Sequence, residues 1–248
     1  MTQPISSSAA IKLSGLTATH VTQSGQVLTD VPGMLKLLGY GADIPALQAK
    51  LPVLYNKGVQ SCPTGVVQDP AGSAVGTGRK PSGGGGSGAI YGHFHDLDPV
   101  PDMNPGEAEF NTSTGPGGRV LHSYSPEIHM DTTHLNTNDP ANCQWVLQEL
   151  ANAYLNAYRA KHMVAGTPPT ETDFDVFNAC PLSGRIFAGK YKNTVLNHLD
   201  PSYTITAMLI AQAEANRAGE KLPTITLCYY DAPVYAEGVK VMATITAV

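Results

Sequence analysis

The sequence predicts an α/β layered domain built on a largely parallel sheet. Apolar runs of strand length alternate along the chain with segments of helical period, the pattern of strands joined by crossover helices. Apolar residues make up 42% of the chain and charged residues only 14%, so it reads as globular rather than disordered. Its 248 residues are enough to bury a substantial core.

The elements follow in order. Residues 44–55 read as one helix that ends near Asn56-Lys57-Gly58, with Gly58 as its cap. Gly65-Val66-Val67-Gln68 is a short apolar run that Asp69-Pro70 stops, as at the end of a buried strand. Residues 71–88 are rich in Gly, Ser and Pro, and Ala89-Ile90-Tyr91 then opens a helix. Residues 107–112 and 119–124 are strand candidates, the second ended by Ser125-Pro126. Asp139-Pro140 starts a helix with an N-cap residue and a proline in the first turn. Trp145, Leu147, Leu150, Tyr154 and Tyr158 recur along it at helical spacing. Residues 175–180 form a strand that runs into Pro181-Leu182-Ser183-Gly184. A helix over 202–217 is closed by Gly219, residues 224–230 are a buried strand, and residues 239–248 read as a last strand. Ligands of such sheets gather beyond the C-terminal strand ends, which directs attention to residues 69–91, 125–138, 181–191 and 231–238.

Composition excludes several partners. The net charge is −5 and the basic residues do not cluster, so no nucleic-acid contact is expected. No apolar run reaches the roughly 18–20 residues that span a bilayer, and no basic-then-apolar leader opens the chain. Cys62, Cys143, Cys180 and Cys228 form no CxxC pair and suit buried thiols in a cytoplasmic or otherwise reducing compartment. His93 and His95 with these cysteines match no zinc spacing, so neither a metal nor a cofactor is expected. A monomer is expected.

The stretch Ser82-Gly83-Gly84-Gly85-Gly86-Ser87-Gly88 allows three readings. A dinucleotide fingerprint needs a strand directly before it, and residues 71–81 do not read as one. A linker needs two self-sufficient halves, and residues 1–81 hold too few elements for a core. Bare glycine amides in front of a helix N-terminus bind phosphate, and that reading is preferred. A second small-residue loop, 180–189, also follows a strand. Two such loops suggest a ligand with two adjacent anionic groups, such as a diphosphate.

Taken in order, these blocks resemble the macrodomain family of ADP-ribose-binding modules. Residues 83–90, GGGGSGAI, are similar to its first phosphate loop, GGGVxGAI. Gly106-Glu107-Ala108 is similar to its TGEA strand start, and VLHSYSP at 120–126 to its VIHTVGP strand. PLSGRIFAG at 181–189 resembles the second phosphate loop, and LCYYD at 227–231 the last central strand. The resemblance covers residues 64–248. It implies a three-layer α/β/α sandwich with a mixed, largely parallel sheet, residues 1–60 being an extension packed on or completing a domain of residues 61–248. Amides around Gly84, Gly85, Gly86, Ser87, Gly88 and Ala89, and around Ser183, Gly184, Arg185, Ile186 and Phe187, would hold the diphosphate. Phe187 would lie near the distal ribose, and Tyr230 and Asp231 at the adenosine end.

The departures mark an atypical branch. The family's DAIVNAAN aligns with TGVVQDPA at 64–71, so Gln68 and Asp69 stand in the ribose region where the family carries asparagines. The acid that one hydrolase branch places in the glycine loop is Ser87 here. The glutamate pair of the glycohydrolase branch is not evident. Cleaving an ADP-ribosyl bond calls for carboxylates that stabilise an oxocarbenium-like ribose and activate water. Asp69 ranks first for that role and Asp98 second, with Asp96 and Asp102 nearby; otherwise Asp69 merely starts an Asx turn and residues 96–102 are a solvated loop. The expected function is a hydrolase that removes ADP-ribose from a modified protein or related conjugate; the alternative is a module that binds ADP-ribose or an NAD-derived nucleotide without cleaving it.

Overall fold

The computed structural model describes residues 11–15, 30–72, 83–100, 102–128, 140–163, 175–183 and 201–247. Six strands form one sheet: β1 (Val53–Tyr55), β2 (Val66–Ala71), β3 (Ala108–Phe110), β4 (Val120–Tyr124), β5 (Val176–Ala179) and β6 (Thr224–Cys228). Their spatial order is β1-β6-β5-β2-β4-β3. Every neighbouring pair is parallel except β3–β4. Six α-helices accompany them among the described residues: α1 (Val31–Leu37), α2 (Ile44–Gln48), α3 (Gly85–His93), α4 (Pro140–Met163), α5 (Pro201–Arg217) and α6 (Ala232–Thr246).

Strand alternation sorts the core into two faces. Val66, Leu121, Phe177, Ala179, Ile225 and Leu227 pack under α4 and α5. Val67, Val120 and Cys228 turn the other way, against Ile90 and Phe94 of α3 and against Val59 and Cys62. The result is an α/β/α sandwich with a mixed, mostly parallel sheet. Helix α5 is buried on every side through most of its length, which its Ala-rich, largely uncharged sequence permits. It contacts α4, α1 and α6.

The first part of the chain joins this core. Strand β1 extends the sheet beside β6. The extended residues Ile11 and Leu13 are laced to α4 by a ladder of side chains one helical turn apart. Asn152 exchanges two hydrogen bonds with the Ile11 backbone, Gln148 accepts from Leu13 N–H, and Gln144 donates to Leu13 C=O.

Three expected elements differ. The single helix expected over 44–55 is the short α2 followed by β1. Leu51-Pro52 divides them, because a residue before proline avoids the α region and proline offers no N–H to a helix interior. Strand β2 does not stop at Asp69 but runs on through Pro70 to Ala71. The β5 register is confined to Val66 and Val67, so the missing N–H of Pro70 breaks no bond on that side. The strand expected over 239–248 is instead the second half of α6. Its β-branched residues suggested a strand, but Gly238, Val241 and Ile245 are buried at helical spacing, and Asp231 caps the helix by accepting from Val234 N–H.

All four cysteines are free and buried, and the Cys62 and Cys228 sulfurs lie 3.5 Å apart. No helix among the described residues is long and apolar enough to cross a membrane.

Candidate functional site

Strand β2 lies between β4 and β5, and the chain leaving β4 crosses over β2 to reach β5. This is a topological switch point, where the loops after neighbouring strands diverge and open a crevice at their C-terminal ends. The glycine-rich turn and the loop after β5 both stand there.

Helix α3 begins inside the glycine run, so this stretch is not an interdomain linker. Gly84 occupies the N-cap position with extended backbone and no side chain to cap the helix. Gly85 follows at φ +60°, a left-handed conformation that glycine adopts at little cost. Among the described residues, a Cβ on Gly84 or Gly85 would meet nothing within 4 Å, so none of them covers the first turn. Two further glycines make the close packing below. A Cβ on Gly86 would come within 3.0 Å of the Pro70 ring, and one on Gly88 would overlap the Gly83 carbonyl. N–H groups of a first helical turn have no carbonyl of their own helix, and the helix dipole adds positive potential. An exposed, bare N-terminus of this kind binds anions.

The same composition makes α3 weak. Four of its nine residues are glycine, each unfavourable by roughly 1 kcal/mol relative to alanine in a helix interior. Tertiary contacts therefore hold it. Ile90 is fully buried under it. Ser87 and Tyr91, one turn apart, reach consecutive residues of β2. Ser87 Oγ donates to the Pro70 carbonyl (3.2 Å) and the Tyr91 hydroxyl donates to Asp69 Oδ2 (2.6 Å). Burial and the neighbouring Asp69 charge push the Tyr91 hydroxyl well above its usual range, so it remains a donor.

Asp69 is fully buried in the middle of this arrangement. His122, its register partner on β4, meets the same oxygen through Nδ1 at 2.7 Å. The Asn111 amide sets the tautomer. Its Oδ1 accepts from the N–H groups of Asp98 and Ser113, and its Nδ2 donates to the Asp98 carbonyl. Nδ2 therefore also donates to His122 Nε2 (3.1 Å), which places the imidazole proton on Nδ1, facing Asp69. Asp69 Oδ1 is buried and has no hydrogen-bond partner among the described residues.

The structure gives the surroundings of the expected catalytic carboxylates. Asp69, expected where the chain leaves β2 for the ribose region, lies within the strand, beneath α3, with no exposed surface. Asp98, expected near the glycine loop, instead brackets Asn111, whose N–H bonds the Val120 carbonyl at the start of β4, and its carboxylate accepts from Thr112 Oγ1 (2.7 Å). Asp98 thus sits at the opposite edge of the sheet. Asp96 belongs there too; the Gly117 N–H, and then Ser113 Oγ, hold its carboxyl below the usual range. Gln68, expected at the ribose, is fully buried, its Nε2 donating to Ser123 Oγ and its Oε1 accepting from Cys180 N–H, so its amide ties β4 and β5 to β2.

The second loop is described only to Ser183; the expected ligand residues Gly184, Arg185, Ile186 and Phe187 lie outside the described residues. Its start is rigidly held. Tyr154 of α4, its hydroxyl kept protonated by complete burial, donates to Cys180 C=O (2.9 Å) and accepts from Leu182 N–H (3.1 Å). Ser183, buried at φ 55°, donates to the Pro126 carbonyl (2.7 Å). A non-glycine residue in the left-handed region is strained and persists where its surroundings hold it. Tyr154→Phe should leave that N–H and that carbonyl without their partner and lower stability by about 1–3 kcal/mol, measurable by urea denaturation; a loss under about 0.5 kcal/mol would show that both groups find another partner.

At the end of β6, Tyr230 is 80% exposed, while Asp231 is committed to the α6 cap. Among the described residues no group of three His, Cys, Asp or Glu side chains converges as a metal ion needs. Sequence reasoning missed Tyr91, Asn111, His122 and Tyr154 as parts of the site. Val67-x-Asp69 and Val120-x-His122 do show the period of one sheet face, but nothing in the sequence sets the two strands in register.

No protein-family model matches the chain, and no curated protein matches it. Solved structures do. An alphavirus P23pro-zbd protein aligns with 79% of the chain at 16% identity and a TM-score of 0.54; the chain spans only 24% of that protein. A mutant form of an Oceanobacillus iheyensis macrodomain aligns with 79% of the chain and 93% of its own length, at 14% identity and a TM-score of 0.50. With its strand order and crevice, the chain therefore has a macrodomain-like fold.

Proposed function

We propose that the chain binds ADP-ribose, free or attached to a protein, with its diphosphate on the N-terminus of α3. The observation that carries this is the open first turn of that helix, where Gly84 and Gly85 present backbone N–H groups at the switch point with no side chain of the described residues over them. With a net charge of −5, the chain holds an anion by local dipoles rather than by a basic surface. The likeness to a macrodomain and the order of the sequence blocks support the choice of ADP-ribose among diphosphates.

Binding is favoured over hydrolysis. The case for cleavage rests on Asp69 and Asp98, and the burial of one and the remote position of the other argue against a carboxylate from either reaching a ribose. Calorimetry with ADP-ribose, paired with incubation on an ADP-ribosylated protein, tests the reading. Uptake of ADP-ribose with no release from the protein is the expected result. Absence of uptake at millimolar ligand overturns the reading. Release that stops in Asp69→Asn would make the chain a hydrolase and return Asp69 to the chemistry.

A further inference from the structure

We infer that Asp69 is a positioning residue whose bond from Tyr91 latches the glycine-rich first turns of α3 in their ligand-ready shape; this rests on the ADP-ribose reading and names the residues that regulate the same site. Helix α3 has little stability of its own, being nearly half glycine and lacking a side-chain cap. Its attachment to the end of β2 consists of the Gly86–Pro70 approach, the Ser87 bond to the Pro70 carbonyl and the Tyr91 bond to Asp69. The Tyr91 bond is the shortest and the one made to a carboxylate, the stronger class. Asp69 cannot turn away, because His122 donates to the same Oδ2 and is itself held by Asn111. The chain of contacts thus runs from the N-terminal edge of β4 through His122 and Asp69 to the helix that carries the exposed amides. The N–H groups of residues 84–87, which precede the first intrahelical bond from Gly88 N–H to Gly84 C=O, bind an anion well only if already aimed, since ordering a loose loop costs affinity.

The orphaned Oδ1 makes the proposal separable from catalysis. In Asp69→Asn the amide oxygen can take the Oδ2 position and accept from both Tyr91 and His122, while the NH2 takes the place of the unpartnered Oδ1. The geometry survives and the negative charge is lost. Tyr91→Phe removes only the donated hydroxyl.

The test compares the unmodified protein, Tyr91→Phe and Asp69→Asn by hydrogen–deuterium exchange of residues 84–89, ADP-ribose calorimetry and the thermal midpoint. Tyr91→Phe should speed exchange at 84–89 and weaken ADP-ribose roughly tenfold or more, the equivalent of one hydrogen bond to a charged group, with exchange elsewhere unchanged. Asp69→Asn should lose less than Tyr91→Phe in both, because its oxygen still accepts both bonds, while its buried NH2, with no described acceptor, lowers the thermal midpoint. Unchanged local exchange in Tyr91→Phe overturns the latch. So does faster exchange across the whole domain in step with the midpoint, which marks a merely structural bond. If the unmodified protein takes up no ADP-ribose, the ligand assignment fails, and the exchange data still decide whether Tyr91 holds the turn.

Discussion

Gly84→Asp should weaken ADP-ribose binding by at least about 100-fold and leave the thermal midpoint unchanged or slightly raised. The two effects oppose each other for one reason. Gly84 is the N-cap of α3, with φ −106° and ψ −178°, a backbone any residue adopts, and its Cβ would meet none of the described residues within 4 Å. An aspartate there can accept a first-turn N–H and complement the helix dipole, worth a few tenths to about 1 kcal/mol of stability. That internal carboxylate occupies the donors a phosphate would use. Two unit charges about 4 Å apart at an effective dielectric near 20 also repel by about 4 kcal/mol, and 1.4 kcal/mol is tenfold in affinity. Gly85 is a less clean probe, since a side chain at its φ of +60° adds backbone strain. Calorimetry and a thermal scan on the same preparation check the expectation. Affinity within about threefold of the unmodified protein would place the anion elsewhere. The absence of a capping side chain then leaves every first-turn donor to a ligand, at the cost of the stability a cap would add.

His122→Ala should cost at least about 1–3 kcal/mol of folding stability, the penalty for leaving a buried charged acceptor without one of its donors. Asp69 and His122 side chains are both fully buried, 2.7 Å apart. Without the imidazole, Asp69 keeps only Tyr91 as a described donor, and Asn111 loses the acceptor for one of its amide hydrogens. Asp69→Ala should also destabilise, and the double variant should lose less than the sum of the singles by about 0.5–3 kcal/mol, as residues sharing one network do. Urea denaturation of the four proteins measures this. A loss below about 1 kcal/mol for His122→Ala would mean that water reaches the carboxylate and that the network is not the dry strut described.

Local sequence was a good guide wherever one element's own chemistry decides its form. The glycines before Ala89-Ile90-Tyr91 open a helix because tight approach to Pro70 and a left-handed residue both require glycine. Strand β5 and helix α5 were legible from their apolar period. Residues 239–248 misled because β-branched side chains favour strands on average, whereas here the contacts of Val241 and Ile245 with the core select a helix. Residues 44–55 misled because α2 is short and its neighbour β1 exists only by pairing with β6, near the far end of the chain. Gln144, Gln148 and Asn152 resemble solvated helix positions, yet they serve as backbone partners for residues 11–13.

The sequence by itself determined the layered α/β class, the place of a bare helix N-terminus after β2, and a net charge that leaves an anion to backbone dipoles. These follow from neighbours in the chain: periodicity, glycine and charge. Only the tertiary structure decided what the polar residues do. Asp69 and His122 are 53 residues apart, and the parallel register of β2 with β4 makes them partners. Tyr91 reaches Asp69 because α3 folds back over β2. Asp98 is kept from the crevice because α3 has carried the chain to the opposite edge before Asp98 is reached. A carboxylate's role depends on what surrounds it, and those surroundings are assembled from segments that meet only when the sheet closes.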